Sequence, residues 1–229
     1  MEKLKELRKS CESRKIPIIS PATEVFLYKI LKKRKPKICL EIWAAVGYSS
    51  IVMWEVIKER WGKLTSFEIS YPAYQEGLQN TKTMNCYNTT TYPFDVLHAP
   101  IKKLMPEKVD FIFIDGQKSQ YGEYMEIVEK ILSPDTLIII DDVIKYHNKL
   151  SSLYGYLQKK QIKLLRPSKK QMKSSFFEWK KNTDDLRNRK HKPALGISGW
   201  NEVVSDFENS RVNTILQLDP DDGIMIING

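Results

Sequence analysis

Phe111-Ile112-Phe113-Ile114-Asp115 and Leu137-Ile138-Ile139-Ile140-Asp141-Asp142 decide the fold. Each is a run of four uncharged, β-favouring residues that leads straight into acid. A continuous apolar run of this length predicts a strand buried on both faces, as in a parallel sheet covered by helices. A carboxylate at the exit of such a strand stands at the carboxyl edge of the sheet, where open α/β sheets take their ligands. The two strands thus deliver Asp115, Asp141 and Asp142 to one rim, and an all-oxygen cluster suits a hard divalent cation such as Mg²⁺. The same residues also suit plainer ends, since Asp115-Gly116 can open a turn and Asp141-Asp142 can cap a helix.

The elements around these runs alternate. The spacing predicts a short amphipathic helix over residues 3–14. A second helix opens at Ser20-Pro21, with Val25, Phe26, Ile30 and Leu31 inward, and ends at Pro36. Ile38–Ile42 reads as the first strand, Ser49–Arg60 as a helix closed by Gly62, and Leu64–Glu68 as the second strand. Ala73–Thr83 reads as a helix, Val96–His98 as a short third strand, Tyr121–Leu132 as a helix, and Leu150–Lys160 as another. Strands alternating with helices imply βαβ units and a doubly wound, Rossmann-like sheet of about seven strands. Val212–Leu218 and Ile224–Ile227 flank Asp219-Pro220-Asp221-Asp222-Gly223, which predicts a closing antiparallel hairpin.

The chain of 229 residues is sized for a single domain, and its 41% hydrophobic content can build a sizeable core. No apolar run is long enough to cross a membrane, and Met1-Glu2-Lys3-Leu4-Lys5-Glu6 carries charge where a secretory signal needs an apolar stretch. The three cysteines, Cys11, Cys39 and Cys86, lack metal-ligand spacing, and His98, His147 and His191 are too far apart for a zinc site. A reduced, cytoplasmic setting is the expectation. The net charge of +9 is uneven. Residues 1–37, an expected N-terminal helical cap, hold 12 Lys/Arg against 4 acids, and residues 159–192 hold 13 against 3, so the body between is acidic. Residues 159–199 read as a basic inserted segment, with Met172, Phe176 and Trp179 on one helical side. Such basic stretches are either solvated faces or contacts for a polyanion, and Phe176, Phe177 and Trp179 among lysines suit either a lid or stacked bases.

Glu41-Ile42-Trp43-Ala44-Ala45-Val46-Gly47-Tyr48-Ser49-Ser50 joins the first strand to the first sheet-flanking helix, where such folds turn tightly and aim backbone N–H groups at a ligand. Glu68 follows Gly47 by 21 residues, at a strand end, placed to accept from a ribose diol or to be an ordinary surface acid. Leu40-Glu41-Ile42, Gly47-Tyr48-Ser49-Ser50, Phe111 through Tyr121, Asp141-Asp142-Val143 and Asp222-Gly223 together resemble motifs of the catechol and caffeoyl-CoA type O-methyltransferases, in their order. The resemblance covers roughly residues 14–148 and 201–228.

That resemblance implies an S-adenosylmethionine-dependent, divalent-metal-assisted O-methyltransferase. It places Glu41 at the base of the cofactor site, Gly47 where backbone approaches the cofactor, Ser49 or Ser50 at its carboxylate end, and Glu68 on the ribose. It gives Asp115, Asp141 and Asp142 to Mg²⁺ or a similar ion, and Lys118 to the general-base position. The acceptor would be a hydroxyl of a small molecule or of a tRNA base, since some bacterial relatives modify 5-hydroxyuridine at the wobble position. Such relatives are often homodimers. Trp43 departs from the pattern by replacing the first glycine of the cofactor turn, Pro100 by falling near the acidic position that contacts adenine, and Asp142 by replacing Asn. Trp43 and Pro100 motivate a second reading, a catalytically silent methyltransferase-like module that binds RNA or protein. A nicotinamide dehydrogenase is disfavoured because the turn lacks G-x-G-x-x-G.

Overall fold

The structure is a computed structural model that describes residues 2–165, 213–218 and 223–228. Within these residues the elements are α1 (Glu2–Ser13), α2 (Pro21–Arg34), β1 (Ile38–Ile42), α3 (Tyr48–Ile57), β2 (Lys63–Phe67), α4 (Tyr71–Thr83), β3 (Thr89–Tyr92) and α5 (Ile101–Leu104). They continue with β4 (Val109–Ile114), α6 (Tyr121–Val128), β5 (Leu132–Ile140), α7 (Ser151–Lys159), β6 (Leu164–Leu165), β7 (Asn213–Gln217) and β8 (Gly223–Asn228). One sheet has the order β3-β2-β1-β4-β5-β8-β7-β6. It is parallel except at β8, which runs antiparallel to both β5 and β7. The expected seven strands are joined by the two-residue β6.

The apolar runs form buried strands because helices cover both faces. Ile112, Ile114, Ile138, Ile140, Met225 and Ile227 point into one core with α6 and α7. Their neighbours Phe111, Phe113, Leu137, Ile139, Ile224 and Ile226 point into the other, with α2 and α3. Alternation with period two thus splits each run between two cores, and neither face tolerates charge. The chain reverses from the β1 side to the β4 side at β1, and the crevice above that switch point is where ligands of such sheets sit.

Several expectations are corrected. Val96–His98 is a 3₁₀ turn, and β3 is Thr89–Tyr92. A short edge strand does not need an apolar run; β-branched threonines suffice. The Asp95 carboxylate accepts from Leu97 N–H at 2.9 Å and caps the 3₁₀ turn instead. The helix from Tyr121 stops at Val128, and a 3₁₀ turn over Glu129–Ile131 leads into a long β5 that begins at Leu132. In α2, Leu27 is buried with Phe26, Ile30 and Leu31, whereas Val25 is only half-buried. Ser20 caps that helix by accepting from Thr23 N–H at 3.0 Å. The expected turn over Asp219-Pro220-Asp221-Asp222, the helical face of Met172, Phe176 and Trp179, and also Phe177 and His191 lie outside the described residues. No helix among the described residues is long and apolar enough to cross a membrane.

Candidate active site

Strand pairing brings the predicted rim together. Asp115 N–H donates to Ile42 O at 3.2 Å, and Asp141 N–H donates to Ile114 O at 2.9 Å. The ends of β1, β4 and β5 therefore stand side by side. Lys118, in the 3₁₀ turn just past β4, donates to Asp115 Oδ1 at 2.8 Å and lies 3.0 Å from Asp142 Oδ2. Burial by itself lowers the pKa of this ammonium, but Asp115, Tyr121 and Asp142 outweigh that and hold it above the ordinary lysine value. As placed, Lys118 is an ammonium paired with two carboxylates. Asp141 is buried; its Oδ1 accepts from Asp142 N–H at 3.0 Å and from Thr23 Oγ1 at 3.4 Å, so α2 reaches the rim.

Among the described residues no group of three or more His, Cys, Asp or Glu side chains is arranged to hold a metal ion. The donor chemistry nevertheless fits one. Asp115 and Asp142 offer hard, anionic oxygens and already gather around a cationic nitrogen, which stands in for an ion.

The turn after β1 is built from backbone bonds. Trp43 and Ala44 N–H both donate to Phe67 O, at 2.9 and 3.1 Å. Gly47, at φ 80°, opens α3 in the left-handed region that glycine adopts without a Cβ penalty. Glu68, 2% exposed, clamps this turn: Oε2 accepts from Ala45 N–H and Oε1 from Ser70 N–H, each at 2.7 Å. This structural role was not readable from a strand-end acid alone. Glu41 lies beneath α3, fully buried, and Oε2 accepts from Ser50 Oγ and from Ser66 Oγ. Its Oε1 has no hydrogen-bond partner. Burial raises the Glu41 pKa, while Ser49, Ser50 and Ser66 lower it and Asp115 adds to the rise; the net direction is up.

Trp43 keeps the backbone of the glycine it replaces, at φ 71°. Its indole crosses from β1 to the end of β4 and packs on Gly116, where an added Cβ would come 2.6 Å from Trp43 Cδ1 and 2.9 Å from Tyr124 Cε2. Trp43 Nε1 donates to Tyr124 Oη at 2.9 Å, and Tyr124 in turn donates to Gln120 Oε1 at 3.0 Å. Burial first, with a contribution from Asp95, pushes the Tyr124 hydroxyl up to about 12. The influence of Asp95 locates a residue that sequence reading missed. With β3 at Thr89–Tyr92, the acid that follows the third strand is Asp95, not a residue near Pro100. On the other side of Lys118 stands the half-buried Tyr146, whose ring centroid lies 5.7, 5.2 and 5.3 Å from the Nζ atoms of Lys118, Lys145 and Lys149.

Trp43 and Gly116 form a coupled pair. Gly116→Ala is expected to cost about 1–3 kcal/mol by overpacking, and less in a Trp43→Gly background, where only the contact with Tyr124 remains. Denaturant midpoints of the four proteins check this; equal costs in both backgrounds would contradict the contact. Glu41 makes a second prediction. The folded protein holds the Glu41 proton to higher pH than the unfolded chain, so stability falls as pH rises above the ordinary carboxyl value near 4.5. Glu41→Gln keeps an oxygen for the serine hydroxyls and has no proton to lose. Melting curves from pH 5 to 8 are expected to show a flatter dependence for Glu41→Gln than for the wild type, and the same slope would rule out the raised pKa.

A family model described as O-methyltransferase matches residues 1–173. A caffeoyl-CoA O-methyltransferase from Stellaria longipes is 28% identical over 150 residues, which cover 62% of this chain and 62% of the relative. The match thus spans less than two thirds of that protein. Among solved structures, an O-methyltransferase from Bacillus cereus in complex with SAH has a TM-score of 0.66 at 20% identity, covering 100% of this chain and 91% of that one. TomG from Streptomyces achromogenes, involved in tomaymycin synthesis and solved with SAM, has a TM-score of 0.61 at 16% identity, with coverages of 100% and 91%. The structural likeness shows the Rossmann-like methyltransferase fold, and the family match, over more than half of its length, shows that the chain belongs to the O-methyltransferase family.

Proposed function

We propose that the chain transfers a methyl group from S-adenosylmethionine to a hydroxyl oxygen. The observation that carries this reading is the Lys118 ammonium between Asp115 and Asp142, at the rim beside the tight turn after β1. In this reading Gly47 and the turn admit the cofactor, and Ser49, in the first turn of α3, meets its carboxylate. Asp115 borders the methionine half and Glu41 supports the floor. Glu68 keeps acceptor capacity beyond its two backbone bonds, which supports a role toward the ribose hydroxyls. Asp95 takes the adenine side.

The reaction breaks the acceptor O–H bond, forms an O–CH₃ bond and breaks the CH₃–S⁺ bond. Its products are a methyl ether, S-adenosylhomocysteine and a proton. Lys118, held as an ammonium, favours the deprotonated form of a hydroxyl placed beside it. Holding oxygen, carbon and sulfur in line supplies several kcal/mol more, on the order expected of orientation. Asp115, Asp141 and Asp142 would hold a divalent cation, which when bound lowers the pKa of a neighbouring hydroxyl by Lewis acidity. Tyr146 with Lys145 and Lys149 makes a flat, basic wall on the acceptor side. A hydroxylated aromatic small molecule and a hydroxylated tRNA base both suit it.

Calorimetry with S-adenosylhomocysteine tests the donor site first. Measurable heat is expected; none at high protein concentration would reduce the chain to a silent module that binds RNA or protein. Methyl transfer to a panel of hydroxylated aromatics and tRNA tests the chemistry. Lys118→Met is expected to lower kcat about 100-fold or more. Lys118→Arg keeps the charge but cannot accept a proton, so it should retain clearly more activity than Lys118→Met. An Arg variant as inactive as the Met variant would instead assign proton acceptance to Lys118. EDTA is expected to suppress the rate, and an EDTA-resistant rate would remove the cation while leaving methyl transfer in place.

A further inference from the structure

At the amino-terminal edge of the sheet, opposite the candidate site, the protein exposes aromatic surface that its core does not use. Trp61 is 76% exposed and Tyr87 48%. Their ring centroids lie 6.0 Å apart at 47°. Tyr87 stands edge-on against the buried Trp54 at 5.3 Å, and Trp54 Nε1 donates to Tyr87 O at 2.8 Å, so the platform is fixed from beneath. Trp61 sits at φ 56°, where glycine or asparagine is more at ease. Most of that indole stays in water, so burial does not account for a large side chain at this position.

The same edge is rich in cations set among fewer acids: Lys63 Nζ lies 2.7 Å from Glu107 Oε1, and Asp110 Oδ2 accepts from the Lys37 and Ile38 N–H groups. Ile38 pairs with Lys63 and Leu64 with Thr89. Lys63 N–H donates to Lys37 O at 2.7 Å, and Leu64 N–H to Asn88 O at 3.0 Å. Register therefore sets Lys37, Lys63 and Asn88 side by side, and all three are exposed, as is Arg60 next to Trp61. Just beyond, a cavity of about 200 Å³ between the ends of α2 and α3 is lined in part by Lys35, Arg60 and the ion pair of Lys32 with Glu59 at 2.7 Å. Aromatic faces interleaved with cations suit stacked bases and phosphates together. A second copy of this chain fits less well, because a two-fold contact would set these cations against themselves.

We propose that this edge docks a single-stranded nucleic acid, with Trp61 and Tyr87 stacking bases and Lys37, Arg60 and Lys63 meeting phosphates. The proposal stands apart from the methyl-transfer reading and requires no cofactor. Fluorescence anisotropy of labelled 12-nucleotide oligouridylate and oligothymidylate with the full chain tests it. Binding of at least one oligomer is expected, weakened about tenfold or more between 50 and 200 mM salt. Trp61→Gly and Tyr87→Ala should each weaken it about fivefold or more, and Arg60→Glu should weaken it and flatten the salt dependence. Cooperative thermal unfolding and an unchanged far-UV circular dichroism spectrum in Trp61→Gly and Tyr87→Ala would show that the fold survives. The proposal is overturned if neither oligomer binds at about 100 µM protein, or if Trp61→Gly and Tyr87→Ala bind as the wild type does. It is equally overturned if sedimentation shows that Trp61→Gly turns a dimer into a monomer.

Discussion

Ile42 O receives the Asp115 N–H and Ile114 O receives the Asp141 N–H, so the ends of β1, β4 and β5 are joined one to the next by the sheet's own hydrogen bonds. Everything at the rim depends on this register. Cys39 pairs with Phe111 and Phe111 with Leu137, and each partner points to the same face. A slip of one residue would exchange the two sets, forcing Phe111 and Phe113 into the space shaped by Ile112 and Ile114 and leaving the isoleucines to fill the space of the phenylalanines. Two tightly filled cores thus fix, indirectly, where three carboxylates stand. Asp142 completes the rim by taking φ 61°, a left-handed conformation that aspartate tolerates better than most residues.

The cofactor turn rests on a second constraint. A turn this tight leaves N–H groups without helix or strand partners, and Glu68 and Phe67 O absorb those of Trp43, Ala44 and Ala45. Trp43 is then retained against its backbone preference. A non-glycine residue in the left-handed region costs about 1–2 kcal/mol, and one net hydrogen bond to Tyr124 returns about 1 kcal/mol. Packing on Gly116 has to supply the rest, and it can do so only because that position has no Cβ. The departure at Trp43 and the glycine at 116 are therefore one feature of the cleft, not two.

The parts of the molecule legible in the sequence are those set by a single strong signal. Buried strands announce themselves as uninterrupted apolar runs, so β1, β4, β5 and the β7–β8 pairing were readable, as were the helices opened by Ser20 and Gly47. The edge strand Thr89–Tyr92 was not, because one face of an edge strand meets solvent and its threonines carry no apolar pattern. That error displaced the acid after the third strand from Asp95 to the neighbourhood of Pro100. Lys118 and its carboxylates could be named from spacing, but the fact that they form an ion pair could not, since it depends on how the turn after β4 folds over β5. Likewise a strand-end position marks Glu68 as an acceptor for a ribose diol or as an ordinary surface acid, whereas it is buried and both of its oxygens hold the backbone in place.

Charge at the rim bears on what the site can accept. Asp115 and Asp142 share the Lys118 ammonium at 2.8 and 3.0 Å, and Asp141 stands buried beside them. A sulfonium donor is drawn to such a field, but an acceptor oxygen that has lost its proton is repelled by it. Lys118 cannot resolve this alone, because its ammonium is already shared between two of the three acids. A divalent cation held by the same acids would give the oxyanion a second positive neighbour, while the sulfonium and the oxyanion carry opposite charges. Methyl transfer discharges both of those charges at once. Acids that attract the donor and a cation that steadies the acceptor thus make opposite demands on one rim, and this holds whichever hydroxyl the acceptor carries.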